Sequence, residues 1–199
     1  MINNLELISL QGQMKKSNPE LLDKQIREFC CVKDPDVESF LKEKAIIFER
    51  SGISRTYFYV TNNGPLSDIV AFFSVAITAT DFKNIEKRHR SKILGATPYR
   101  DFHDHFGGLL VAQLARCDKY TSEDINGSEL ITAAEKTIEQ GRVFLGGRVL
   151  YLDCKKPLVS LYEQNSYKLL QSDPYSNGLY KMFKMMPKIP KNSVLTQPM

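Results

Sequence analysis

The chain has 199 residues, 42% of them hydrophobic, and a formal net charge of +4 from 27 Lys and Arg against 23 Asp and Glu. This length and apolar content suit one domain with a substantial core and exclude bulk disorder, and the longest apolar runs are far too short to cross a bilayer. The mild basicity permits an acidic partner such as RNA, coenzyme A or a membrane surface without requiring one.

In chain order, Met1–Asn4 leads directly into Leu5–Leu10, which reads as a first strand, with no hydrophobic targeting segment ahead of it. Neither a membrane partner nor export is expected, so the expected location is the cytoplasm. Asn18-Pro19 opens a helix with Leu21, Leu22, Ile26 and Phe29 on one face. Asp34-Pro35 opens a second, with a stripe of Val37, Phe40, Leu41, Ala45 and Phe48 and Gly52 beyond its end. Arg55–Thr61 alternates aromatic and β-branched residues, Asn62-Asn63-Gly64-Pro65 reads as a turn, and Ile69–Thr78 is a long apolar strand. Together these predict an antiparallel hairpin.

Residues Thr80–Phe106 are the least regular. They hold a basic cluster of Lys83, Lys87, Arg88, His89, Arg90 and Lys92. It reads either as a solvated helix end or as a stripe that contacts nucleic-acid phosphates. His103 and His105, with Asp101 and Asp104 nearby, offer only an H-x-H spacing, which falls short of a zinc ligand set, so no metal is expected. The four cysteines, Cys30, Cys31, Cys117 and Cys154, have no regular spacing and read as buried thiols. Cys117 and Cys154 each follow a predicted strand and could lie near each other.

From Gly107 to Tyr167 the chain is most informative. Leu109–Ala115 is a continuous apolar run, as in a strand covered on both faces. Asn126, with Glu129 three residues on, has a capping-box spacing; Leu130, Ala134 and Ile138 then recur every fourth residue, and Gly141 ends the run. A strand feeding a loop and the bare amides of a helix N-terminus makes an anion site, suited to a cofactor phosphate. Val149–Asp153 is a second buried strand, and Lys155-Lys156-Pro157 starts a helix carrying Leu158, Leu161 and Tyr162. Asn165-Ser166-Tyr167 and a strand follow. Leu179–Met186 is a last apolar strand, and Pro187–Met199, with three prolines, reads as a loose tail after a single domain of residues 1–186.

The pieces "LLVAQLA", "INGSELI", "GGRVLYLDC" and "SLYEQNSYKLL" resemble, in order and spacing, the core of the GNAT superfamily of acyl-CoA-dependent N-acyltransferases. The front half, "FCCVKDPDVESFLKEKAIIFERSGISRTYFYV" followed by "IVAFFSVA", resembles the branch that includes toxin-type acetyltransferases. The resemblance covers roughly residues 3–186. It implies an α/β (α+β) fold: a mixed, mostly antiparallel central sheet with a splayed parallel strand pair, flanked by helices. It implies an acetyl-CoA-dependent N-acetyltransferase, with acetyl-CoA as co-substrate and a primary amine as acceptor: a small amine, a protein lysine or an aminoacyl-tRNA. A tRNA partner and a homodimer both fit such a protein.

The resemblance also places roles on residues. The backbone of Leu114, Ala115 and Arg116 would meet the pantetheine arm, and the amides at Asn126, Gly127 and Ser128 the pyrophosphate. Tyr162 would protonate the departing thiolate. For the base that deprotonates the amine, Asp153, Glu163 and Asp104 stay open. Two motifs depart from the family. Ser122-Glu123-Asp124-Ile125-Asn126-Gly127 keeps only the last glycine of the phosphate loop and adds two acids. Asn165-Ser166-Tyr167 replaces the usual Asn-Gly-Phe. A catalytically weak GNAT-fold protein that acts as a binding partner, and a nucleic-acid-binding module on the same scaffold, are the alternatives.

Overall fold

The computed structural model describes residues 5–62, 67–82 and 85–188. The tail beyond Lys188, residue Lys83 and most of the predicted 62–65 turn therefore lie outside the described residues. β1 spans Leu5–Ser9, one residue short of the expected strand, because Ser9 caps a helix that the sequence did not announce. Its hydroxyl accepts from the Gly12 amide at 3.1 Å, and α1, Leu10–Lys16, buries Leu10 completely. Asn18 likewise caps α2, Pro19–Glu28, by accepting from Glu20 at 3.0 Å. After Asp34 the second predicted helix arrives in pieces: α3, Pro35–Ser39, a π-helical turn, Phe40–Lys44, and α4, Ala45–Arg50. The wider π turn carries Phe40 and Leu41 into the core together.

β2, Ser54–Thr61, and β3, Ile69–Asp81, form the predicted hairpin. The irregular insert then contains a helix, α5, Lys87–Leu94, which buries Ile93 and Leu94. β4, His105–Arg116, is followed by α6, Gly127–Leu145, β5, Val149–Cys154, and α7, Val159–Gln164. Pro157 falls in a 3₁₀ turn that feeds α7. β6, Lys168–Leu169, and β7, Tyr180–Met185, complete the sheet. α6 runs past Gly141, against expectation. Arg142, only 4% exposed, donates to Glu139 at 2.8 Å and to the Gly147 carbonyl at 3.2 Å, so the next turn is worth keeping. Gly146 and Gly147, at φ 74° and 106°, end the helix instead.

The seven strands lie in the order β1-β2-β3-β4-β5-β7-β6. Each neighbouring pair is antiparallel except β4 with β5, which is parallel. The fold is thus the expected mixed, mostly antiparallel sheet flanked by helices. On one face α6 and α7 pack Leu130, Ala134, Ile138 and Tyr162 over Phe73, Val111, Leu150 and Leu152. On the other, α1, α2 and the π turn cover Phe58, Val60, Phe72 and Ala115. Beside them α5 closes Val149, Tyr151 and Phe183. The alternation of β5 explains this split: Leu150 and Leu152 point one way, Val149 and Tyr151 the other.

Cys117 and Cys154 belong to cores on opposite faces, so they are not neighbours, and all four cysteines are free. Among the described residues no group of three or more His, Cys, Asp or Glu could hold a metal, and no helix is long and apolar enough to cross a membrane.

The parallel pair depends on a missing side chain. A Cβ on Gly108 would stand 2.5 Å from Tyr151 Cε2 and 2.9 Å from Val149 Cγ1. Because the Tyr151 ring is fully buried it has little room to move. Gly108→Ala is expected to cost roughly 1–3 kcal/mol of stability, as overpacking does. At about 2–4 °C per kcal/mol for a domain of this size, thermal melts will resolve it.

Candidate functional site

β4 and β5 pair over only three positions, Leu109 with Leu150, Leu110 with Tyr151 and Val111 with Leu152. The next residue, Ala112, is a bulge. Ser74 of β3 faces Gln113 and Val75 faces Val111, so Ala112 has no counterpart. A bulge bends its strand and steepens the local twist. β4 therefore swings away, while β5 stays paired with β7 as far as Cys154. On the β5 side the backbone of Ala112, Gln113 and Leu114 has no ladder partner. Unpaired strand edges are costly unless a ligand or water meets them.

Where the strands part, a cavity of about 250 Å³ opens. Val111–Leu114 line one side and Asp153, Cys154 and Lys155 the other; Asp34, Asp36 and Val37 from the start of α3 and Leu158 and Tyr162 complete it, with Leu179. Leu114 thus lies where the sequence placed it. Ala115 and Arg116 do not line the cavity: Ala115 packs under α2 and the π turn, and Arg116 turns its side chain into the following loop. There its Nε donates to the Tyr120 carbonyl at 3.1 Å and its Nη1 to the Ile125 carbonyl at 2.8 Å. Ala112 and Gln113, which the sequence does not single out, line it instead; Ala115 and Arg116, like them, have no ladder partner on the β5 side.

That loop delivers the chain to α6. Asp124, one of the two acids that oppose an anion, turns its carboxylate back to the Thr121 amide at 2.9 Å. The capping box forms as predicted: Glu129 N–H donates to Asn126 Oδ1 at 2.9 Å, and Asn126 N–H donates to Glu129 Oε2 at 2.8 Å. The Asn126 amide is therefore taken. Among the described residues no acceptor meets the amides of Gly127 and Ser128. These two stay open at the helix N-terminus, where an anion is favoured. Asn165 ties α7 to this point by donating to Ser128 Oγ at 3.0 Å and to the Leu161 carbonyl at 2.8 Å. Ser166 keeps the left-handed turn that glycine usually supplies, at φ 70°, and Tyr167 N–H donates to the Tyr162 carbonyl at 3.0 Å.

Tyr162 is only 6% exposed, and no hydrogen bond holds its hydroxyl among the described residues. Its ring packs edge-on against Tyr167 with centroids 5.7 Å apart. Burial first, then Cys154 and Asp34, pushes its pKa above that of an ordinary phenol. The group stays protonated at neutral pH and can give a proton. Cys154, beside it in the lining, is pushed up to about 11, by burial and then by Asp153, so it stays a thiol. Of the three carboxylates open as bases, Asp153 lines this cavity, while Glu163 lines a separate groove of about 360 Å³. Asp104 lies by Phe82, whose amide donates to its carbonyl at 2.8 Å.

The separate groove collects much of the basic cluster. Arg88, His89 and Lys92 of α5 line it with Tyr167 and Lys168. His89 Nδ1 lies 3.1 Å from the Leu170 carbonyl, Arg88 pairs with Glu86 at 2.6 Å, and Arg90 donates to the His103 carbonyl at 3.1 Å.

No family model and no curated protein matches this sequence. Solved structures do. A mutant of KacT superposes with a TM-score of 0.69 at 12% identity, over 92% of this chain and 95% of that one. AtaT complexed with acetyl-methionyl-tRNAfMet gives 0.68 at 12%, over 92% and 95%. AtaTR bound with acetyl-CoA gives 0.65 at 12%, over 92% and 93%. The chain has the GNAT fold. In this GNAT fold the bulge at Ala112 opens the sheet and α7 brings a buried phenol to the opening, while Asn126, Gly127 and Ser128 lie outside the cavity lining, beside α7.

Gly127→Glu tests the helix N-terminus. An added Cβ would lie 3.0 Å from Leu161 Cδ2, the movable end of a side chain, so the fold should tolerate it. A carboxylate there repels a phosphate and competes for the helix amides. CoA affinity is expected to fall at least ~tenfold by calorimetry, with the melting temperature little changed.

Proposed function

We propose that this chain is an acetyl-CoA-dependent N-acetyltransferase acting on a primary amine in the cytoplasm. The observation that carries the reading is the parted β4–β5 pair, with an unpartnered strand edge on one side and an unpartnered, protonated Tyr162 hydroxyl in the same cavity. An amide-bearing pantetheine arm would satisfy the backbone of Ala112, Gln113 and Leu114, and the Gly127 and Ser128 amides would take the pyrophosphate. AtaTR bound with acetyl-CoA, on the same fold, supports that fit.

When bound, acetyl-CoA supplies an activated acetyl thioester. The amine nitrogen bonds to the acetyl carbon, the carbon–sulfur bond breaks, and the Tyr162 hydroxyl gives its proton to the leaving sulfur. The amine sheds a proton, through water, to Asp153. The acceptor remains a small amine, a protein lysine or an aminoacyl-tRNA. AtaT is found with acetyl-methionyl-tRNAfMet and the basic groove beside α5 would suit phosphates, which supports the last class and a tRNA partner. The rival reading, a GNAT-fold binding partner with little activity, draws on one observation: the Glu129 carboxylate stands at the α6 N-terminus and takes the Asn126 amide.

Three measurements decide between them. Acetyl-CoA at about 100 times its dissociation constant should add about 2.7 kcal/mol of stability, and an unshifted melt would favour the rival. Tyr162→Phe should lower turnover by about 10²–10⁴-fold while leaving acetyl-CoA affinity intact; wild-type turnover would remove Tyr162 from the reaction. An acid must be protonated to act, and the Tyr162 pKa is raised above the ordinary value of about 10. Turnover should therefore show no alkaline decline between neutrality and about pH 9.5 from this group.

A further inference from the structure

Asp34 stands just before Pro35, where a side chain ordinarily accepts from the first amides of a helix. Here it makes no cap to α3. Its Oδ1 instead meets Lys155 Nζ at 2.8 Å, and Asp36 Oδ2 stands 3.9 Å from the same nitrogen. The Asp34–Lys155 contact joins residues 121 apart in sequence and bridges the start of α3 to the loop between β5 and α7. All three residues line the cavity of the parted strands.

The lining holds three carboxylates, Asp34, Asp36 and Asp153, against one ammonium, Lys155. Asp153 has its own partner in Lys181 at 3.1 Å. In a chain of net charge +4, this lining carries three carboxylates to one ammonium, and an excess of one sign concentrates ions of the other. A second, independent feature points to a ligand in the same place. The Tyr162 side chain, 6% exposed, carries a hydroxyl that no hydrogen bond holds among the described residues, and it lines this cavity. An alkyl amine, with a pKa of about 10 like that of lysine, arrives as an ammonium ion and so resembles the group already seated there.

We propose that Asp34 is the seat of the acceptor's ammonium, held in this structure by Lys155 Nζ, which a cationic amine displaces. This rests on the acetyl-transfer reading of the cavity and adds the acceptor class to it. The acceptor is a primary ammonium with no carboxylate close to it, since a neighbouring carboxylate would face Asp34, Asp36 and Asp153. Exchange of one ammonium for another is easy here, because Lys155 is 44% exposed on a long flexible stem and such pairs are weak. Asp34 has no capping duty that the exchange would disturb.

The test uses 1,3-diaminopropane and, as a carboxylate-bearing counterpart, β-alanine, titrated calorimetrically with excess CoA present. The proteins are the wild type, Asp34→Asn and Lys155→Met. Wild type should bind the diamine and not β-alanine. Lys155→Met, freed of the occupant, should bind the diamine roughly threefold or more tightly, and Asp34→Asn roughly threefold or more weakly. A purely structural bridge would instead move both variants the same way and lower both melting temperatures. Shifts in the same direction, unchanged affinities, no diamine binding by Lys155→Met, or equal binding of β-alanine would each overturn the proposal. Acetyl-CoA titrated into the same three proteins separates the two readings. Its failure to bind any of them would remove the acetyl-transfer reading, whereas normal acetyl-CoA binding with unchanged diamine affinities would remove the seat alone.

Discussion

The site depends on β4 leaving its parallel partner after three paired residues. A strand in the middle of a sheet can do this only if its other neighbour holds it while its direction changes. β3 does so: it stays registered with β4 on both sides of Ala112, from Ala71 opposite Arg116 to Asp81 opposite His105. The extra residue is absorbed on the β4 side of that ladder, and the bend falls on the side of β5. An unpaired, half-buried backbone edge is thus created in the best-supported part of the sheet, where it cannot relax by fraying. Flexible strand ends would not hold a binding edge in place.

The flanking helices follow from the same event. With β4 and β5 apart, α7 lines the opening through Tyr162 and is locked to the start of α6 by Asn165, which reaches both Ser128 and the Leu161 carbonyl. This lock fixes the start of α6 relative to the Tyr162 ring, so the unpartnered Gly127 and Ser128 amides and the phenol are positioned by one side chain. On the opposite face α3 reaches the opening through the Asp34–Lys155 bridge. The opening is therefore supported from both faces by polar contacts, while the apolar cores lie to either side of it.

Much of this was legible in the sequence where a signal is local and repeated. The capping box at Asn126, the fourfold apolar spacing after it and the alternation in β2 each stated an element and its face, and the Asp34-Pro35 helix start was correct. The failures have a common cause. Ala112 sits in a uniform apolar run, and nothing in that run marks which residue lacks a partner; the register belongs to β3. The sequence sets the unpaired edge at Leu114, Ala115 and Arg116; β4 already leaves β5 after Val111, so the edge begins two residues earlier, and Ala112, Gln113 and Leu114 are the part of it that lines the cavity. Gly141 reads as a helix stop, but the buried Arg142 and its contacts to Glu139 and Gly147 lie one turn further on. The α1 helix carries no stripe long enough to see. Asp34 was recognised as a helix opener, but the destination of its carboxylate depends on a residue far along the chain.

Cys154 has a consequence of a different kind. It is the cysteine that lines the cavity, and a thioester placed there would lie near a sulfur able to take its acyl group. Thiol–thioester exchange needs the thiolate. With its pKa pushed up to about 11 by burial and by Asp153, the thiolate fraction at neutral pH is only about one in ten thousand. The burial that raises the Tyr162 pKa also keeps Cys154 unreactive. An enzyme built this way would be guarded against acylating itself by the same burial that keeps its phenol protonated.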